Sequence, residues 1–442
     1  MKQTLNRRRM LARLAAIGVG AVELGGDGTT LGHHDPVSDK LRLGVIGCGG
    51  QGQQNLRQVE GEEIVALCDV DEARAAPAFK RHPKAKRFHD YRKMFDAMHG
   101  QIDAVVVSIP DHMHAPVSLA AMELGKHVYC EKPLTWGIEE ARRMANLARV
   151  KGLATQMGTQ GMAQDRSRAG IEVIQSGVLG QITELHVWTD RPSGWWPQGI
   201  DRPKGSRPFP AGLDWDLWLG VAPSRPYNAG YCPFVWRGWK DFGTGAVGDM
   251  GIHNAAMPFA ALQLGAPSSA EIVQTSGLKE ETFPIWSTLK VEFPARAAHG
   301  AVTLYWYDGG KKPPADLLGG RKLADNGAIV VGTKGTLYSV EWTGGDWKLL
   351  PEDRFRDYEM PKPSQPRAPR QSHHQEWLRA CRGGSPAFCR FDGFAARLTE
   401  SMLVANLALR LGRKVVWDEE KLEARGDPET TPYIKRAYRR GW

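Results

Sequence analysis

The mostly apolar stretch Leu41-Arg42-Leu43-Gly44-Val45-Ile46 runs straight into Gly47-Cys48-Gly49-Gly50-Gln51-Gly52, and few features leave a chain less choice of fold. An apolar run that ends in G-x-G-x-x-G and continues in helix-compatible residues through Val59 predicts a strand, a tight glycine turn and a helix N-terminus. Backbone N–H groups at such a turn, with a helix dipole behind them, suit a pyrophosphate. A second apolar run over 64–68 closes on Asp69, where a carboxylate accepts hydrogen bonds from an adenosine ribose. The pattern therefore predicts a dinucleotide site contacted by Gly47, Gly49, Gly50, Gln51, Gly52 and Asp69. It favours NAD over NADP, because the same carboxylate repels a 2′-phosphate.

Apolar runs over 102–109 and 127–130 continue the alternation with helical stretches, which argues a parallel sheet with crossover helices. One helix is expected to open at Pro116, to carry Val117, Ala120, Ala121 and Leu124 as a stripe, and to stop at Gly125; another runs over 138–150 and ends at Gly152. After about Met157 the texture changes. Strand-like runs return at 182–189, 288–293, 301–307 and 328–331, with helical patterns at 373–381 and 393–411 and a polar tail from Asp418 that wraps a surface. A chain of 442 residues exceeds what one core serves. The expected α/β organisation is a leader and linker over 1–39, a Rossmann NAD-binding domain over 40–160, and an α+β domain over 161–442. This last domain has a largely antiparallel open sheet for substrate binding and oligomerisation.

The formal charge of +9 is partly terminal, and no basic helix or aromatic-interleaved basic stripe lies between the ends, so a nucleic-acid partner is not expected. No apolar stretch reaches the roughly 18 residues a membrane span needs. Asn6-Arg7-Arg8-Arg9-Met10-Leu11 followed by 14–21 resembles a twin-arginine leader, which predicts export to the periplasm, with the cytoplasm as the alternative. The six cysteines form no CxxC pair. Cys381 and Cys389 are near enough in sequence to bridge in an exported protein, and no metal site is expected from the His and Cys spacing.

Two further motifs carry a resemblance. Ile109-Pro110-Asp111-His112-Met113-His114-Ala115-Pro116, then Gly125-Lys126-His127-Val128-Tyr129-Cys130-Glu131-Lys132-Pro133-Leu134, together with Gly248-Asp249-Met250-Gly251-Ile252-His253, resemble the Gfo/Idh/MocA family, that of glucose–fructose oxidoreductase, inositol dehydrogenase and the rhizopine-catabolism protein. The resemblance spans about 41–418. It implies Lys132 beside the nicotinamide, Asp249 as its acidic partner and His253 as the proton-transferring imidazole. It also implies Pro110 and Asp111 at the nicotinamide ribose with His114 nearby, and a homodimer or homotetramer. The spacing of Asp249 and His253 places both on one face of a helix, and Pro133 biases Lys132 toward an extended strand end. Glu131 is expected to brace that strand end beside the cofactor. Gln156 and Gln160 are candidate polar contacts for substrate and cofactor.

Between 191 and 245 the chain is dense in Trp, Pro and Gly. Trp195, Trp196 and Arg237 are the candidate substrate contacts there, since aromatic faces beside polar donors suit a ring that is apolar on one side and hydroxylated at its rim. At least half of the segment's tryptophans are expected to pack loops onto the sheet. The implied activity is hydride transfer between a sugar or polyol carbon and nicotinamide. Two alternatives are a glycoside hydrolase working through transient oxidation with tightly held NAD, and an inactive sugar-binding protein.

Overall fold

The computed structural model describes residues 40–296 and 299–442. The twin-arginine-like segment lies outside them. Six parallel strands, β1 (Arg42–Ile46), β2 (Glu63–Cys68), β3 (Lys86–Phe88), β4 (Ala104–Val107), β5 (His127–Cys130) and β6 (Thr155–Met157), form a sheet in the order β3-β2-β1-β4-β5-β6. The order reverses between β1 and β4, and a crevice opens there at the carboxyl ends of the strands. The strands are apolar throughout because both faces are covered. Leu43, Val45 and Val106 pack with Leu56 and Phe79 on one side, while Val105 and Val107 pack with Phe95, Ile102 and Val117 on the other. Burying each such side chain stabilises the fold by about 1.5–3 kcal/mol.

The helix expected to open at Pro116 instead spans Asp111–Glu123, with Pro116 inside it. A proline there cannot donate to the His112 carbonyl one turn earlier, which ordinarily ends a helix. Arg436 Nη1, from the far end of the chain, donates to that carbonyl at 3.3 Å. The compensating donor is remote in sequence, so the local pattern placed the helix start too late. The helix Ile138–Lys151 matches its expectation and stops at Gly152, whose φ of +63° is left-handed.

Nine strands form the second sheet. They are β7 (Ile182–Trp188), β8 (Ser269–Thr275), β9 (Ser287–Phe293), β10 (Val302–Tyr307), β11 (Gly327–Gly332), β12 (Gly335–Ser339), β13 (Trp347–Leu350), β14 (Val415–Asp418) and β15 (Glu423–Ala424), in the order β13-β12-β11-β7-β10-β9-β8-β14-β15. Only β7 and β10 pair in parallel. Helices Asp165–Gln175, Ile252–Leu262 and Ala396–Leu411 share one core with this sheet. The helix His373–Cys381 departs from that layer: Trp377 and Leu378 join the core of the first sheet, and His374 stacks on Tyr129 at 4.4 Å between centroids. The tail beyond Asp418 lies back over both layers, with Tyr438 donating to Glu140 and Arg439 to the Gly220 carbonyl. Cys381 and Cys389 are separate free thiols.

Candidate active site

The glycine turn lies at the carboxyl end of β1, where a cavity of about 470 Å³ opens. Gly47 has φ +83° and Gly50 φ +52°, conformations that side chains resist. A Cβ on Gly47 would overlap the Ser108 carbonyl, and one on Gly52 would overlap the carbonyl of Gly47. Gly52 is therefore buried packing against the turn, whereas Gly47, Gly49, Gly50 and Gln51 line the cavity. The helix Gln51–Val59 begins after Gly50 with no side-chain cap; its Gly52 N–H turns back to the Gly49 carbonyl at 2.9 Å, and the helix start at Gln51 lines the cavity. Arg74, which sequence reasoning missed, brings its guanidinium to 3.1 Å from where a Gly50 Cβ would stand. Its signal was its place one turn into the helix that follows Asp69. A bare glycine cradle, an uncapped helix start and a cation together fit a dinucleotide pyrophosphate.

Asp69 lines the same cavity, and its carboxylate accepts N–H bonds from Cys48 at 2.7 Å and Asp71 at 2.9 Å. Burial raises its pKa, and those two donors oppose the rise. Asp69 thus braces the turn while facing the ribose position.

At the other end of the cavity Lys132 meets Asp249 and His253, which come from one segment far along the chain. Lys132 follows β5. Asp249 sits in a π-helical turn, Val247–Gly251, that runs into the helix carrying His253. Inserted turns of this kind re-aim side chains and recur at functional sites. The Lys132 ammonium pairs directly with Asp249 Oδ1, Arg191 Nη1 binds Asp249 Oδ2 at 3.0 Å, and Arg237 Nε lies 3.4 Å from Oδ1. Burial alone would push Asp249 upward, but Arg237, Lys132 and Arg191 pull it well below the usual carboxylate range. Burial lowers the pKa of Lys132, with Asp249 opposing and Arg237 adding to the fall. His253 is lowered far below an ordinary imidazole, first by burial and then by the Lys132 cation. Its Nδ1 has no hydrogen-bond partner among the described residues. The result is a neutral imidazole beside an ammonium that a carboxylate holds in place.

Several expected contacts turn out to support the site from behind. Asp111 is wholly buried and does not line the cavity; its carboxylate accepts from Arg237 Nη1 at 3.0 Å and from Thr244 Oγ1 at 2.6 Å. The ribose contact expected of it is not made by this geometry, because Oδ1 is committed to Arg237 and Oδ2 chiefly to Thr244. Gln156 is likewise fully buried and away from the cavity. Its amide donates to the His373 carbonyl at 3.0 Å and its oxygen accepts from Cys389 N at 3.0 Å, so it clamps layers together and does not meet substrate. Glu131 accepts from Asn55 and from Gln160, each at 2.8 Å, and burial raises its pKa. Gln160, Glu131, Pro110 and His114 do border the cavity. Both ring nitrogens of His114 lie 2.7 Å from carbonyls, of Pro133 and Ile109, so the ring bridges the residue after Lys132 and the chain just beyond β4.

Trp195, Trp196 and Arg237 line the cavity as expected. Trp218 and Trp236 line it too, and Trp236 lies under the Arg237 guanidinium at 4.3 Å. Trp215, Trp218 and Trp239 pack with Leu213, Tyr231 and Phe242 into a small core of their own and not onto the sheet. That miniature core straps the adenosine end of the crevice: Asp214 N donates to the Val70 carbonyl at 2.8 Å and Glu72 N to the Gly212 carbonyl at 2.9 Å, with Leu213, Leu217 and Pro233 lining the cavity beneath. Arg191 and Trp342 are further cavity residues not singled out from sequence. Arg191 had only its place among the aromatics as a signal, and Trp342 had none.

A Rossmann crevice facing a buried Lys-Asp-His cluster defines the class of nicotinamide-dependent oxidoreductases. The chain belongs to the Gfo/Idh/MocA oxidoreductase family: residues 41–159 match its NAD-binding Rossmann fold and residues 171–442 its C-terminal alpha/beta domain. Inositol 2-dehydrogenase of Salmonella typhimurium is 29% identical over 154 residues, which are 33% of this chain and 45% of that enzyme. The Corynebacterium glutamicum (strain R) enzyme is 30% identical over 163 residues, 36% of this chain and 48% of its own length. The similarity thus spans under half the length of these relatives. Among solved structures, the WlbA dehydrogenase of Bordetella pertussis, in complex with NADH and UDP-GlcNAcA, superposes with a TM-score of 0.59 at 17% identity, over 86% of this chain and 99% of that one. The aldose-aldose oxidoreductase of Caulobacter crescentus, complexed with glycerol, gives 0.53 at 16%, over 86% and 100%. These likenesses fix the fold. Among the described residues no three His, Cys, Asp or Glu side chains gather as a metal site, and no helix is long and apolar enough to cross a membrane.

Proposed function

We propose that this protein is an NAD-dependent dehydrogenase acting on a hydroxyl-bearing carbon of a sugar or polyol. The observation that carries the reading is the convergence of Lys132, Asp249 and His253 in the cavity that begins at the glycine turn. NAD, when bound, accepts the hydride leaving the carbinol carbon. The chain's own residues handle the proton and the oxygen. His253, neutral at ordinary pH, takes the hydroxyl proton as the carbonyl forms. Lys132 donates a hydrogen bond to that same oxygen, and Asp249, held by Arg191 and Arg237, keeps the ammonium in place. The named relatives, inositol dehydrogenases and sugar oxidoreductases, support a polyhydroxylated substrate and lend no support to the redox-glycosidase or inactive-binder alternatives. A homo-oligomer exported through a twin-arginine leader remains part of the proposal, tested by cell fractionation and sedimentation. The central test is incubation of the purified protein with NAD and a panel of inositols, aldoses, sugar acids and simple glycosides. Substrate-dependent NADH formation is expected; a protein that binds NADH yet oxidises no member of a broad panel overturns the reading.

A further inference from the structure

Within the tryptophan-rich segment most rings are buried: Trp239 is 1% exposed and Trp196, Trp215 and Trp218 are each below a tenth. Three rings break the pattern, and one of them, Phe209, lies away from the reaction-centre cavity. Trp195 is 45% exposed and Phe234 54%, and both border the cavity that holds the reaction centre. Large apolar rings left open at a cavity mouth contribute little to folding and mark a binding surface. Trp195 is also firmly placed. The Arg191 guanidinium lies 3.8 Å from its ring centroid and reaches Asp249 with Nη1, so one contact chain runs from Lys132 through Asp249 and Arg191 to Trp195. Phe234 tilts against Trp195 at 6.4 Å. Arg191 Nε is buried without a hydrogen-bond partner among the described residues, a donor awaiting an acceptor beside the open ring. Across the cavity Trp342, 38% exposed, stands edge-on to His253 at 5.0 Å.

We infer that Trp195, Phe234 and Arg191 form a second ring-binding subsite, so that the substrate is a glycoside whose attached ring stacks on Trp195 while its sugar ring is oxidised at Lys132 and His253. This rests on the dehydrogenase reading and narrows it. Arg191 covers one face of Trp195; the other face takes the apolar side of a ring, and the guanidinium N–H at the indole's edge takes a rim hydroxyl or the glycosidic oxygen. The ring platform is rigid before substrate arrives, so little ordering is needed on binding.

The test compares methyl and phenyl glycosides of glucose, galactose and mannose, in both anomers, on the NAD-loaded full chain. For the sugar accepted, the phenyl glycoside is expected to have a kcat/KM about tenfold higher, the size of one aromatic contact, with the gain in KM. Trp195→Ala is expected to bring that ratio to about one, and Trp195→Phe to restore most of it. Equal values for the two glycosides overturn the subsite while leaving the dehydrogenase intact. So does a Trp195→Ala loss that falls only on NADH affinity, since the ring then serves the cofactor. If no glycoside is turned over, the dehydrogenase reading is the one in trouble. Titration of tryptophan fluorescence then still reads the subsite: tighter phenyl than methyl binding supports it, and equal binding overturns it.

Discussion

The glycine turn at Gly47–Gly52 and the charged cluster around Asp249 line one cavity, yet they are built by opposite means. The turn presents backbone. Its geometry is set by residues adjacent in sequence, and the glycines matter for what they lack. The cluster presents charge carried by side chains from four separated segments, and its properties arise only when burial brings Lys132, Arg191, Arg237 and Asp249 together. A wall of backbone tolerates no added atoms but is indifferent to pH. A wall of charge tolerates changes of shape but not changes of protonation.

The largest expected effect breaks the first wall. Gly52→Ala puts a methyl into the Gly47 carbonyl with no flexible side chain to give way. We expect NADH affinity to fall by at least about a hundredfold and stability by about 3 kcal/mol or more, read by fluorescence titration and denaturant melts. Unchanged binding would mean the turn is not the cradle.

Removing one member of the second wall should leave the first untouched. Lys132→Ala deletes the ammonium that faces the reacting oxygen, yet Asp249 keeps Arg191 and Arg237 as partners, so no buried charge is stranded. Turnover is expected to fall by about a hundredfold or more while NADH affinity changes little. A variant that loses both equally would show that the two walls are not separable.

That separation also explains what could be read from the chain. The strand, turn, helix and acidic residue of the first wall form one local pattern, legible because each piece constrains its neighbour. Lys132, Asp249 and His253 were legible through family resemblance, since nothing in the spacing of residue 132 and residue 249 announces a contact. Asp111 and Gln156 were misassigned for one reason: a polar residue beside a motif looks like a ligand contact until its buried partners are known. Thr244 and Arg237 for the former, and His373 and Cys389 for the latter, come from distant segments. Arg436 rescuing the Pro116 helix belongs to the same class.

A smaller effect sharpens the contrast through pH. Asp249 raises the pKa of both His253 and Lys132, against burial, which lowers each. Asp249→Asn withdraws the carboxylate that raises His253 against burial and the cations Lys132, Arg191 and Arg237. The neutral imidazole is the base, so activity is lost as pH falls through its pKa; a lower pKa moves that loss to lower pH. The ammonium of Lys132 likewise gives up its proton at lower pH, so the alkaline limb follows. Both limbs of the kcat/KM profile are expected to move toward acid. A shift toward alkali would mean the carboxylate acts on neither group. Gly52→Ala should move neither limb.

The smallest expected effect concerns the strap, which closes the backbone wall from outside. Its own core of Trp215, Trp218, Trp239 and Phe242 keeps it folded, and the His112 ring, 3.0 Å from the Trp218 carbonyl and 3.3 Å from that of Phe242, ties it to the helix Asp111–Glu123. At the adenosine end, two backbone hydrogen bonds, Asp214 to Val70 and Glu72 to Gly212, and the side chain of Leu213 join the strap to the crevice. Each hydrogen bond is worth about 1 kcal/mol. Leu213→Ala removes apolar contact at the cavity roof without touching the glycine cradle or the charged cluster. Stopped-flow displacement of bound NADH should therefore show release faster by about three- to tenfold, an effect of roughly 1 kcal/mol, with association little changed. Faster association and faster release together would instead make the strap a gate that opens before cofactor enters. Release unaltered in Leu213→Ala would leave the strap a structural appendage, and the backbone wall would then hold the dinucleotide by its cradle alone.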